Sequence, residues 1–165
     1  MIKIITMLTA LLPLVVQGQE FVINAAEVVG FGIFQSSKLT RRKGFSDHSP
    51  AADSVENVQF LNITSKIPAT LGLDFGLEYV INTRPRGRPI EVTTIIKFPE
   101  PGLVRPNGKI YLESRETYKT VVGEPALHGY GFDESWEMVT GEWVFEVWHK
   151  KARLVSKRFT VVSDK

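Results

Sequence analysis

The stretch from Gly131 to Val162 constrains the fold more than any other part of the chain. Phe132, Trp136, Trp143, Phe145, Val147 and Trp148 lead into Lys150-Lys151-Ala152-Arg153, and Leu154, Phe159, Val161 and Val162 follow. Aromatic and β-branched residues alternating with polar ones, entered through Gly141 and reversed at a charged tip, specify a β-hairpin with one face on a core. Leu154 and Phe159 stand five apart, so a regular strand would send them to opposite faces. Both have core character, and a β-bulge near Ser156 or Lys157 would reconcile them.

Upstream, the same period recurs in shorter pieces. Residues 20–34 open with Phe21, Ile23 and Ala25 and continue through Val28, Val29, Phe31, Ile33 and Phe34, which favours a first strand. Residues 35–57 then lose large apolar groups and gain Lys38, Arg41, Arg42, Lys43, Asp47 and His48, as a long exposed connection would. Strands are expected over 58–67, 75–81 and 90–98, with one bent strand or two short ones over 109–122. Pro68, the T-R-P-R-G-R-P run of 83–89, P-E-P-G at 99–102 and P-N-G at 106–108 mark the breaks. Residues 123–129 read as a return loop. About seven strands with no amphipathic helix between them is the pattern of an all-β, immunoglobulin-like sandwich.

Lys3 followed by the uncharged run Ile4–Val16, with Val16 and Gly18 at the small-residue positions, reads as a secretory signal peptide cut between Gly18 and Gln19. The run is shorter than the roughly 20 apolar residues of a membrane-spanning helix. Residues 19–165 are then expected to be one soluble domain, periplasmic or secreted, with no transmembrane segment left after cleavage. Removing residues 1–18 takes away Lys3 and no acid, so the formal net charge of +2 becomes +1. That is far from the cationic excess of a nucleic-acid binder. The chain has no cysteine, which excludes a disulfide framework, a thiol nucleophile and thiolate-held zinc.

Catalytic chemistry is hard to place. His48, His128 and His149 are the only imidazoles, no serine stands in a G-x-S-x-G elbow, and neither H-E-x-x-H nor an EF-hand loop occurs. Each histidine reads as a solvated loop residue, and Asp133 with Glu134, before a buried Trp136, as strand-terminating or capping acids. Gly30-Phe31-Gly32 lacks the third glycine of a dinucleotide site. No cofactor, no metal site and no enzyme activity is expected. Two basic clusters remain as candidate binding residues: Arg41 and Arg42 in the long connection, with Lys38 and Lys43, and Arg84, Arg86 and Arg88 in the 83–89 turn. There, alternation with Pro and Gly would hold guanidinium groups on an extended backbone, suited to phosphate or carboxylate acceptors.

Gly131-Phe132-Asp133-Glu134-Ser135-Trp136-Glu137, Gly141-Glu142-Trp143-Val144-Phe145-Glu146-Val147-Trp148 and residues 154–161 resemble the C-terminal signature of a bacterial family catalogued as domain of unknown function 3859. Ile67-Pro68-Ala69, Leu71-Gly72 and Phe75-Gly76-Leu77-Glu78-Tyr79 resemble a second stretch of it, as does the opening strand with Gly30 and Ile33-Phe34. The resemblance implies an exported bacterial immunoglobulin-like domain with no assigned activity, so it transfers no catalytic or ligand residue. The expected function is a non-enzymatic binding or adaptor module of the cell envelope whose partner is an envelope protein or an anionic envelope polymer. The alternatives are a small secreted enzyme inhibitor, using 83–89 as a rigid plug, and less readily a hydrolase.

Overall fold

The computed structural model describes residues 26–41 and 53–163. In chain order they form β1 (Ala26–Arg41), β2 (Asp53–Asn62), β3 (Lys66–Pro68), β4 (Asp74–Ile81), β5 (Pro89–Lys97), β6 (Leu103–Val104), β7 (Ile110–Tyr111), β8 (Glu113–Val121), β9 (Pro125–Gly131), a single 3-10 turn at Ser135–Glu137, β10 (Gly141–His149) and β11 (Ala152–Val162). One sheet runs β2-β1-β4-β9, a second runs β3-β11-β10-β5-β8, and β6 and β7 pair separately as a small fork. All pairings are antiparallel except that of β3 with β11. The fold class expected from the sequence holds. The expected signal peptide, His48 and Arg42 lie outside the described residues.

Phe75 on β4 is the centre of the sandwich. The rings of Tyr130, Phe132, Trp143, Phe145 and Phe159 surround it at centroid distances of 5.2–6.4 Å, mostly tilted or edge-on, the offset geometry that aromatic quadrupoles prefer. Trp143, Phe145 and Val147 project inward from β10 and are fully buried, so the terminal hairpin packs as its alternation requires. Trp143 also donates its indole N–H to the Val139 carbonyl at 2.9 Å, which gives the buried ring's one polar atom a partner.

Four local expectations are corrected. Residues 35–41 and 53–57 are not an irregular connection: they extend β1 and β2 as a two-stranded ribbon, from Gln35 opposite Gln59 to Arg41 opposite Asp53. Residues 125–129 are not a loop but most of β9. The bulge of β11 falls at Leu154, between Trp148 opposite Arg153 and Val147 opposite Val155. This puts Val155, Lys157, Phe159 and Val161 on the inner face. Lys157 is tolerated there because its ammonium lies 3.6 Å from the centroid of Phe31 at the sandwich edge, a cation–π contact reached by an aliphatic stem. Finally, Trp136 is only half-buried, whereas Glu137 beside it is buried.

Glycine has one evident architectural use. Gly76 on β4 faces Gly32 on β1 and Gly129 on β9. A Cβ at Gly76 would stand 2.4 Å from the His128 carbonyl oxygen, so only glycine permits this approach of β9. Gly129 in turn leaves room for the ring of Phe34, whose Cζ would lie 2.9 Å from an added Cβ.

Candidate binding surfaces

Strand direction divides the sandwich into two ends. The upper end carries Asp74, Lys97, Gly131 and Gly141; the lower end carries Ile81, Pro89, Val121, Pro125 and the tip between β10 and β11. Loops gather at both, and the side chains able to meet a partner differ sharply between them.

At the upper end the chain leaves β5, makes the β6–β7 fork and returns into β8. Leu103 and Tyr111 are buried and root the fork in the core, while Val104 and Ile110, directly opposite each other, are 42% and 54% exposed, and Leu112 is 59% exposed. Arg105 holds the fork in place. Its guanidinium lies 5.3 Å from the Trp136 ring and 5.7 Å from the Tyr111 ring, and Nη1 donates to the Tyr111 hydroxyl at 3.5 Å. Trp136 is presented by the 3-10 turn, which Glu137 locks. Its Oε2 accepts the backbone N–H groups of Asp133 and Glu134 at 2.8 Å each, and Oε1 accepts the Tyr130 hydroxyl at 3.2 Å. Burial raises the Glu137 pKa, and those three hydrogen bonds oppose the rise. The carboxylate that fastens the G-F-D-E-S-W-E segment is thus that of Glu137, and Asp133 and Glu134, the acids singled out in the sequence, offer it their backbone N–H groups.

At the lower end the 82–88 loop is clipped to the β8–β9 turn. Gly87 N–H donates to Val122 O, Val122 N–H to Arg88 O and Gly123 N–H to Ile81 O, each at 2.9 Å. Gly87 has φ of 75°, so the backbone turns inside the loop rather than running extended through it. Arg84, Arg86 and Arg88 are all exposed on this clipped loop. The His149 imidazole, donating Nδ1–H to Glu91 O at 2.7 Å, fastens the β10–β11 tip beside the start of β5. Lys150 and Lys151, both exposed, come to the same end. Arg41 does not: it closes β1 at the far end of the ribbon, roughly 45 Å away along that strand at about 3.3 Å per residue. Arg41 and the arginines of the 83–89 turn thus stand at opposite ends and do not share one site.

His128 is no solvated base. It projects inward from β9, is 7% exposed, packs 5.0 Å from the Phe145 ring and donates Nε2–H to Ile95 O at 3.2 Å. Burial lowers its pKa to about 4, although the bond to Ile95 opposes the shift, so the ring is neutral at physiological pH. Beside it the Tyr79 hydroxyl donates to that of Tyr118, which donates on to Leu127 O. Among the described residues no group of three metal-ligating side chains stands together, and no helix is long and apolar enough to cross a membrane.

Glu146 is the buried charge that sequence reading missed. It lies on the outer face of the five-stranded sheet yet is 2% exposed, covered by Lys97, Trp148 and Arg153. Lys97 Nζ and Arg153 Nη1 each reach Oε1 at 3.2 Å, and the Trp148 indole N–H donates to Oε2 at 2.9 Å. Burial pushes its pKa up, but these three partners outweigh burial and hold it below the usual carboxylate value. The site is satisfied internally and leaves Arg153 and Lys97 committed to it.

The family model described as "Domain of unknown function (DUF3859)" matches residues 23–161. The crystal structure of an immunoglobulin-like protein from Pseudomonas aeruginosa superposes with a TM-score of 0.58 at 23% identity, covering 83% of this chain and 96% of that one. A β-glucosidase from Erythrobacter marinus aligns with a TM-score of 0.34 at 12% identity, over 83% of this chain and 16% of the enzyme. No curated protein matches.

Proposed function

We propose that this chain, which belongs to the family described as Domain of unknown function (DUF3859), is an exported, non-enzymatic binding module of the bacterial cell envelope. The observation that carries this reading is the β6–β7 fork. A connection that served only to join β5 to β8 would turn its outward positions to polar residues. Here Val104, Ile110 and Leu112 are apolar and exposed, while the alternate residues Leu103 and Tyr111 and the Arg105 stack fix the backbone beneath them. A rigid apolar surface on the loops at one end of a sandwich is how such scaffolds hold a partner, because little ordering entropy is lost on contact.

The test compares the protein with a Val104→Ser/Ile110→Ser/Leu112→Ser variant as bait against detergent-solubilised envelope fractions, with quantitative mass spectrometry as the readout. The expected result is a component enriched at least tenfold on the wild-type protein and lost on the variant, with matching circular dichroism spectra. Identical recoveries from both baits would remove the fork, and with it this reading.

A further inference from the structure

We propose that the opposite, lower end of the sandwich is a binding surface for closely spaced phosphate groups. Six cations meet there from three separate segments: Arg84, Arg86 and Arg88 on the clipped loop, Lys119 near the end of β8, and Lys150 and Lys151 on the β10–β11 tip. Among the described residues none of the six is in an ion pair. Among the described residues their neighbours of opposite sign are three exposed acids, Glu27, Glu91 and Glu124, with Glu91 across the ladder from Lys119. Arg153, at the same end, is committed to Glu146 and adds nothing to the cluster. The whole chain carries a formal net charge of only +2, so the excess at this end is a segregation of charge and not the local face of a uniformly basic protein.

Two further features set this end apart from solvated loops that carry charge for solubility. The loop is held by two backbone hydrogen bonds, with a third at Ile81 where it begins, and the Arg86 stem packs 3.2 Å from the position a Cβ would take at Gly123, so its guanidinium groups are displayed from a fixed backbone. Lys150 has φ of 53°, a left-handed position that glycine or asparagine fills at less cost. The lysine there sets a charge at the tip against the local preference of the backbone. The chemistry selects the ligand. Guanidinium forks bind phosphate oxygens bidentately, ammonium groups add point charge, and a cluster of six is matched only by a ligand carrying several negative charges close together. Phosphate, with up to two charges and three acceptor oxygens per group, supplies that density.

Inorganic polyphosphate and vesicles of phosphatidylglycerol in phosphatidylcholine present the same chemistry from a soluble polymer and from a lipid surface. At about 50 mM salt the protein is expected to bind at least one of them saturably, with the logarithm of the affinity falling linearly in log salt. Binding to polyphosphate assigns the soluble source; binding to the vesicles alone assigns the headgroup source. Replacing Arg84, Arg86 and Arg88 with Ser should weaken binding at least tenfold and reduce the salt slope by about two, at roughly 0.7 for each phosphate that is no longer neutralised. Lys150→Gly should weaken binding without lowering thermal stability. A charge-matched variant in the upper half, Lys66→Ser/Arg115→Ser/Arg158→Ser, should retain wild-type affinity. Failure of the wild-type protein to bind either probe overturns the proposal. So does an equal loss in the loop variant and the charge-matched control. Neither outcome depends on the β6–β7 fork, whose variant is expected to bind phosphate normally.

Discussion

His128 makes the stability of this protein depend on pH in a window where few other side chains titrate. The unfolded imidazole takes up a proton near its ordinary value of 6.5, whereas the folded ring, enclosed between the sheets, resists until about pH 4. Because the folded value lies below the unfolded one, the stabilisation is complete above pH 6.5 and is lost as pH falls toward 4. Each pH unit inside that window costs up to about 1.4 kcal/mol, so lowering the pH from about 7.5 to about 5 removes roughly 2 kcal/mol, a large share of a domain's net stability. Glu146 has its pKa held down and loses stabilising charge only lower still, while Glu137, with its pKa raised, contributes with the opposite sign and softens the acid end of the curve. His128→Gln isolates the imidazole, since the amide can still donate to Ile95 O but does not titrate. Urea unfolding followed by tryptophan fluorescence, at a series of pH values, should show the wild type losing roughly 2 kcal/mol between about pH 7.5 and about pH 5 and the variant losing less than half of that. The readout is the slope and not the absolute stability, which the substitution lowers by itself. Parallel curves for the two proteins would refute the assignment.

Glu137→Ala should cost about 3 kcal/mol in urea unfolding, because it orphans the Asp133 and Glu134 N–H groups and the Tyr130 hydroxyl; a loss under about 1 kcal/mol would mean that the 3-10 turn is held by packing alone. Lys157→Val should raise the concentration-dependent mass seen by light scattering. β3 covers β11 only at Thr160–Val162 among the described residues, and an inward lysine is a device that keeps a strand edge from pairing with another chain. An unchanged mass at every concentration would show that the edge needs no such guard.

What the sequence disclosed, and what it concealed, divides along physical lines. The terminal hairpin was legible because Trp143, Phe145 and Val147 recur at every second position, with Glu142 and Glu146 on the alternate ones, and a half-buried strand leaves that period in its composition. The β1–β2 ribbon was not. After Phe34 the sequence of β1 turns polar at Gln35, Ser36 and Ser37, so no apolar period marks the strand there, and its pairing is written in register instead of hydrophobicity. β9 was hidden by Pro125, Gly129 and Gly131, which read as loop residues although Gly129 is there to receive the Phe34 ring. Local alternation also misplaced the bulge, because a lysine on the inner face at Lys157 is legible only once Phe31 is known to lie beneath it.

The same division explains the surfaces. Arg84, Arg86 and Arg88 were visible as a run, but Lys119, Lys150 and Lys151 join them only because β4, β8 and β10 all end on the same side. Arg41, equally conspicuous in sequence, is carried to the other end by the ribbon. Glu146 and Arg153 belong to the same lesson. One was unremarkable in the sequence and the other was part of a charged tip, yet together with Lys97 they neutralise each other on a sheet face, and that pairing decides which cations at the lower end are left for a ligand. Charge that is close in sequence therefore says little about a site here. What matters is which strand end carries it and whether an acid on the neighbouring strand has already taken it up, and by that criterion the loop and the β10–β11 tip stand apart from every other basic segment described.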